Sequence, residues 1–231
     1  MKKNNFIENA LMKIRWPFGY LVFFICSCNQ PSPVNMIVLS HADSVKETAR
    51  IRNAFQEIEK IKTSIQTGDL ITRTGNDFTS ETLRNLNQRD KTFSHCGIAV
   101  IEDNSVFIYH ALGGEFNPDQ KLLRETLKTF AEPYSNKGIG VFRMNLTGSS
   151  MKQLQDEVQQ RYKDGIMFDM DFDLQTEDRM YCAEFVAKSY RKVLHPQLEF
   201  NTSKLGKFKF IGVDDIFLNP HFKKLYSVVY K

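Results

Sequence analysis

At 231 residues, with 42% apolar and 25% charged side chains, the chain has the length and composition of one domain with a full hydrophobic core rather than of a disordered protein. Its net charge of +4 sits mostly at the N-terminus, where residues 1–27 hold four basic side chains and one acidic, leaving +1 for the rest. Basic and aromatic residues do not interleave, so nothing calls for a nucleic-acid partner, and no internal repeat suggests a solenoid.

The first segment reads as a leader. Lys2, Lys3, Lys13 and Arg15 precede a short apolar run from Trp16 to Ile25, too short for a comfortable bilayer span. Ile25-Cys26-Ser27-Cys28 has the apolar–small–small–Cys pattern of a bacterial lipoprotein signal, which predicts cleavage before Cys28 and lipid on its thiol. A lipid anchor in the cell envelope is therefore expected, with residues 1–27 removed and 28–42, which hold Pro31 and Pro33, serving as a tether. Of the four cysteines, only Cys96 and Cys182 would then remain as thiols. Two thiols in an exported chain are not a disulfide framework, and catalysis is one explanation for them.

Residues 43–231 read as a single domain. From Asp43 to Gln66, apolar residues at Ala49, Ile51, Ala54, Phe55, Ile58, Ile61 and Ile65 recur at helical spacing, with Asp43 or Ser44 as cap. Thr67-Gly68-Asp69 ends that helix, Leu70–Thr74 reads as a short strand, and Thr79–Gln88 as a helix capped by Thr79 or Ser80. The strongest β signal follows. His95–Ile101 and Val106–Ala111 flank Glu102-Asp103-Asn104-Ser105, a hairpin loop by composition. A two- or four-residue loop sets Ile101 opposite Val106 and Gly97 opposite His110. Strand side chains alternate, so His95, Gly97, Ala99, Ile108 and His110 share one face and the two imidazoles become neighbours beside a glycine. Cys96 falls on the other face, as core.

Asp119–Phe130 reads as a short helix, Ile139–Leu146 as a strand, and Ser150–Lys163 as a helix behind Thr147-Gly148-Ser149. Phe168-Asp169-Met170-Asp171-Phe172-Asp173 alternates apolar and acidic residues and reads as a half-exposed strand or loop with solvated carboxylates, because no glycine follows at calcium-loop spacing. Residues 178–193 form a helix that carries Cys182 about one turn in, where backbone N–H groups and the helix dipole favour a thiolate. Phe208–Phe217 and Leu225–Tyr230 add β or irregular structure, and the whole order points to an α+β fold.

Cys182 and His95 are the candidate nucleophile and base. A thiol needs a base, and the base needs a group on its far nitrogen; the shared strand face offers His110 for that task. His41, His195 and His221 have no evident partner. The histidines and cysteines lack zinc-site spacing, and no glycine-rich phosphate loop is present, so neither metal nor cofactor is expected.

Four segments carry a family resemblance: Gly68-Asp69-Leu70-Ile71, Ser94-His95-Cys96-Gly97-Ile98-Ala99, Phe168–Asp173 and Tyr181-Cys182-Ala183-Glu184-Phe185-Val186. In this order they resemble the YiiX/YebB-like hydrolases, the permuted papain-like branch of the NlpC superfamily, over about residues 60–218. The resemblance implies a circularly permuted papain-like fold, in which the cysteine helix packs on a small antiparallel sheet bearing the histidine. It also implies Cys182 as nucleophile, His95 as base, and backbone N–H groups at the nucleophile holding the oxyanion. Glu184 matches a glutamate common after the family's cysteine and is the candidate substrate contact, against the alternative of a solvated helix position. Where YiiX-like relatives often carry a carboxylate near the end of the second strand, this chain has His110, as in the lecithin:retinol acyltransferase relatives. The expected activity is hydrolysis of an amide in a peptide or cell-wall-derived peptide. Acyl transfer on the same residues and a non-catalytic binding lipoprotein stand as alternatives.

Overall fold

A computed structural model describes residues 40–231. The expected leader, the expected lipidation site at Cys28 and the expected tether up to residue 39 lie outside the described residues. Helix α1 (His41–Lys62) starts two residues earlier than the periodicity predicts, because Ser40 supplies the cap by accepting the Asp43 N–H at 3.2 Å. His41 is thus the first helical residue rather than part of the tether.

Six strands make one antiparallel sheet: β1 (Leu70–Gly75), β2 (His95–Glu102), β3 (Ser105–His110), β4 (Leu123–Thr126), β5 (Asn136–Met144) and β8 (Phe222–Val229). Their spatial order is β4-β3-β2-β1-β5-β8. Between these run α2 (Phe78–Leu86), the single turn α3 (Leu127–Phe130), α4 (Gly148–Asp164), α5 (Cys182–Leu194), the small hairpin β6 (Ser203–Leu205) and β7 (Phe208–Phe210), and α6 (Val213–Phe217). The expected α+β fold, with a helix bearing Cys182 packed on an antiparallel sheet, is present.

Each sheet face has its own core. Leu70, Cys96, Ile98, Val100 and Phe142 face α4 and α5, whose Leu154, Val158, Phe185, Val186 and Tyr190 are buried against them. Ile71, Ala99, Ile108, Ile139 and Val141 face the other way, under Ala54, Ile58 and Ile61 of α1. Burying an aliphatic side chain on either face contributes about 1.5–3 kcal/mol, and strand alternation divides the residues between the two.

The β2–β3 register is the one read from sequence, with Ile101 opposite Val106 and Glu102 opposite Ser105. Asp103 and Asn104 form a two-residue turn with φ of 47° and 59°, the conformation of hairpin turns that match strand twist. Two predicted elements differ. The helix over Asp119–Phe130 is instead strand β4 followed by α3, with Thr126 as cap. Leu122, Leu123, Leu127 and Phe130 mimic helical spacing, but pairing with β3 fixes Leu123–Thr126 as the sheet edge. The cap of α2 is Asp77, which accepts the Ser80 N–H at 2.9 Å, rather than Thr79 or Ser80.

Candidate active site

Cys182 is the first residue of α5, not a turn inside it. At that position the first-turn N–H groups have no intrahelical carbonyl to bond, and the helix dipole is most positive. Tyr181 orients the entry: its hydroxyl accepts the Ile211 N–H at 2.8 Å and its ring packs 4.6 Å from Phe172. The Cys182 thiol is pushed below its ordinary range, chiefly by a hydrogen bond from the Cys96 side chain, with the backbone N–H groups of Cys96 and Ala183 and the charge of Arg73 adding to it against the cost of burial. Cys96 is pushed well above its ordinary range by burial first and by its neighbour second. Cys96 is core, as read from its strand face, and its thiol also acts on Cys182. Cys182 makes no hydrogen bond to His95 among the described residues.

His95 opens β2, and its side chain lies on the face opposite to Cys96. Its Nε2 is 2.9 Å from His110 Nδ1, with the rings edge-to-face at 5.0 Å. Gly97 makes this approach possible. A Cβ there would lie 2.7 Å from the Tyr109 carbonyl oxygen and 2.9 Å from His110 Cβ. The Phe130 ring closes the site from below, 5.7 Å from His95 and 5.0 Å from His110.

A third member was missed in the sequence. His110 Nε2 is 3.1 Å from Glu125 Oε2, and Glu125 stands in register with Ile108 on β4. The misread helix hid it; the recoverable signal was a glutamate at even spacing within a strand. Glu125 is held below the usual carboxylate range by its bond to His110, so it accepts. His110 Nε2 therefore carries the proton, its Nδ1 accepts from His95 Nε2–H, and the lone pair of His95 is left on Nδ1. Burial, Arg73 and His110 push His95 well below the ordinary histidine range. Burial and, more weakly, Arg73 also lower His110, against the opposing pull of Glu125. Both rings are neutral at neutral pH, and the free lone pair of His95 is on Nδ1.

His95 and Cys182 reach one cavity of about 710 Å³ from opposite sheet faces. Its walls include Arg73, Ser94 and Glu125 on the polar side and Leu112, Phe168, Met170 and Phe172 on the apolar side. The segment Phe168–Asp173 is a loop, and Asp169 is not solvated but 2% exposed, its carboxylate accepting the Asp171 and Asp173 N–H groups at 2.9 and 2.6 Å. Those two bonds hold the apolar wall in shape.

Glu184 does not line the cavity. It is fully buried, and its carboxylate accepts the Tyr181 N–H at 3.3 Å and lies 3.0 Å from Lys188 Nζ. This overturns the solvated reading and places the side chain behind the thiol as a brace on the start of α5. Burial raises its carboxyl to about 7. His195, read as lacking a partner, lies 3.6 Å from Glu199 on the surface. Among the described residues no three His, Cys, Asp or Glu side chains are grouped to hold a metal ion.

The profile of a family described as "Permuted papain-like amidase enzyme, YaeF/YiiX, C92 family" matches residues 64–215. Among solved structures, that of YiiX from Escherichia coli O157:H7, titled a metalloprotein, superposes with a TM-score of 0.56 at 19% identity, over 72% of this chain and 97% of that one. No curated protein matches the chain.

Proposed function

Since the chain belongs to the permuted papain-like amidase family, we propose that it is a thiol hydrolase of an amide bond in a peptide or acyl-amide, with Cys182 as nucleophile and His95 as base. The observation that carries this reading is the relay Glu125–His110–His95, which leaves a lone pair on His95 at a cavity shared with a helix-N-terminal thiol. His95 Nδ1 takes the thiol proton as sulfur attacks the carbonyl carbon, and it returns that proton to the amine as the C–N bond breaks. Water, deprotonated by the same imidazole, then cleaves the thioester and frees the acid and the thiol. The Cys182 N–H, at the head of α5, is placed to hold the oxyanion. The hydrogen bond between His95 and Cys182 forms on substrate binding, as catalytic bonds often tighten only in the complex. Glu125 supplies the carboxylate that His110 displaced from the second strand.

The E. coli protein is titled a metalloprotein, but the residues of this site do not fit a metal. The imidazoles and carboxylate here are spent on one another, and no ligand group of three exists among the described residues. The Ile25–Cys28 pattern supports a lipid tether to the cell envelope, and hence a cell-wall peptide as substrate. The apolar wall of Leu112, Phe168, Met170 and Phe172 favours acyl transfer as the second reading.

The test is alkylation with iodoacetamide at pH 6, mapped by peptide mass spectrometry. Cys182 is expected to label far faster than Cys96, and Cys182→Ala to abolish turnover of cell-wall digest. Equal labelling of the two thiols would sink the activated-thiolate reading. Release of free acid marks hydrolysis, whereas acyl groups moved intact onto an added amine mark transfer.

A further inference from the structure

Arg73 is the one Lys or Arg among the described residues lining the cavity. It pairs with His95 across β1 and β2 and so lies on the same sheet face. One side of its guanidinium is committed. Nη1 donates to the Phe130 carbonyl at 2.7 Å, and the group lies over the Phe130 ring, 4.7 Å from its centre. Nε and Nη2 donate to nothing among the described residues, and neither is sealed from solvent.

Four carboxylates line the cavity, Asp77, Glu115, Glu125 and Glu132, and none lies within ion-pair distance of Arg73. Glu125 bonds His110, Glu132 accepts the Tyr134 and Ser135 N–H groups, and Asp77 caps α2, so these three act on the guanidinium only through space. A half-buried, stacked guanidinium with one open N–H edge is the arrangement that accepts a planar anion in a fork. It is an unusual neighbour for a base, since its charge depresses His95 and stabilises the Cys182 thiolate.

We infer that Arg73 determines substrate choice by binding a free carboxylate on the acyl side of the scissile amide, within a few atoms of the carbonyl. This rests on the thiol-hydrolase reading for its substrate, but the site itself does not need turnover to be seen. An arriving carboxylate cancels the field on His95 and lets the ring hold the proton it takes from the thiol. Amides carrying such a carboxylate are then turned over, and their neutral analogues poorly.

The probes are two matched pairs of thiol reagents: iodoacetate with iodoacetamide, and N-iodoacetylglycine with N-iodoacetylglycinamide. They place the carboxylate at two distances from sulfur. Rates at Cys182 are read by peptide mass spectrometry on the full chain, and the acid-to-amide ratio is divided by that of a Cys-containing tripeptide. Both reagents of a pair meet the same thiolate, so the ratio cancels any change in its pKa. For at least one pair the normalised ratio is expected to be about tenfold, to fall to near one in Arg73→Gln, and to lie between in Arg73→Lys. A ratio near one in the unsubstituted chain overturns the assignment without any variant, as does a ratio that survives Arg73→Gln. If the ratio behaves as expected but no amide is hydrolysed, the carboxylate site stands and the hydrolase reading falls.

Discussion

Replacing Glu125 by glutamine tests the relay at its far end while leaving shape unchanged. The carboxylate touches neither thiol nor substrate in the proposed mechanism, so its effect must travel through His110. Two hydrogen bonds of 2.9 and 3.1 Å and the width of one imidazole separate it from His95. That path puts the negative charge roughly 8 Å from His95 Nε2, and at an effective dielectric of about 20 it stabilises an imidazolium there by about 2 kcal/mol. Since the imidazolium forms in the transition state, Glu125→Gln should lower kcat/KM by about thirtyfold, with KM little changed. A second consequence is a shift in the pH profile. Glu125 raises His110 towards its charged form, so its removal makes the histidine pair harder to protonate, and the acid limb of kcat/KM moves to lower pH. The assay is initial-rate hydrolysis of an amide substrate between pH 4 and 9, with circular dichroism to confirm the fold. A loss under threefold with an unmoved acid limb would refute the relay as a working unit.

Gly97→Ala forces a Cβ to within 2.7 Å of both the Tyr109 carbonyl oxygen and Ile108. It should cost about 1–3 kcal/mol in urea unfolding and slow Cys182 alkylation by parting the imidazoles; an unchanged midpoint counts against the packing argument. Asp169→Ala removes the acceptor for two backbone N–H groups and should destabilise by about 1–3 kcal/mol while raising KM, because the loop it holds carries the apolar wall. A changed kcat with unchanged KM would contradict that. For Glu184, the folded carboxyl at about 7 lies above its ordinary 4.5, so the folded chain keeps a proton that the unfolded chain releases. Its contribution is full below about pH 4.5 and is lost as pH rises through 7, by up to about 3 kcal/mol. Glu184→Gln should flatten that slope between pH 5 and 7 in chemical denaturation, and parallel slopes would reject the shift.

The parts of the site legible in sequence were those governed by alternation. The hairpin register placed His95 and His110 together because β2 and β3 have a two-residue turn and buried faces that forbid a one-residue slip. Glu125 was hidden because four residues are too few to show a period, and the leucines around them fell at helical spacing. The exact place of Cys182 was hidden for another reason. Tyr181 is not one of the residues that announce a helix start, and the carboxylate bracing that start, Glu184, comes from inside the helix. Sequence placed Cys96 in the core correctly but gave no hint that it faces Cys182. The α5 face and the β2 face meet only through tertiary packing.

The proposed relay is built from three consecutive strands, between His95 and Glu125, and the proposed nucleophile, Cys182, arrives on a separate helix. The chain between Glu125 and Cys182 does not itself bridge the cavity; the packing of α5 on the sheet brings the two halves together. A proton passing from sulfur to imidazole is indifferent to which of them lies nearer the N-terminus, so a chain with its ends moved elsewhere loses nothing in the chemistry. The order matters at birth instead. The ribosome delivers the complete base before it makes the thiol, and at about 5–20 residues per second several seconds separate them. Throughout that interval the nascent chain carries the residues of the proposed base without Cys182.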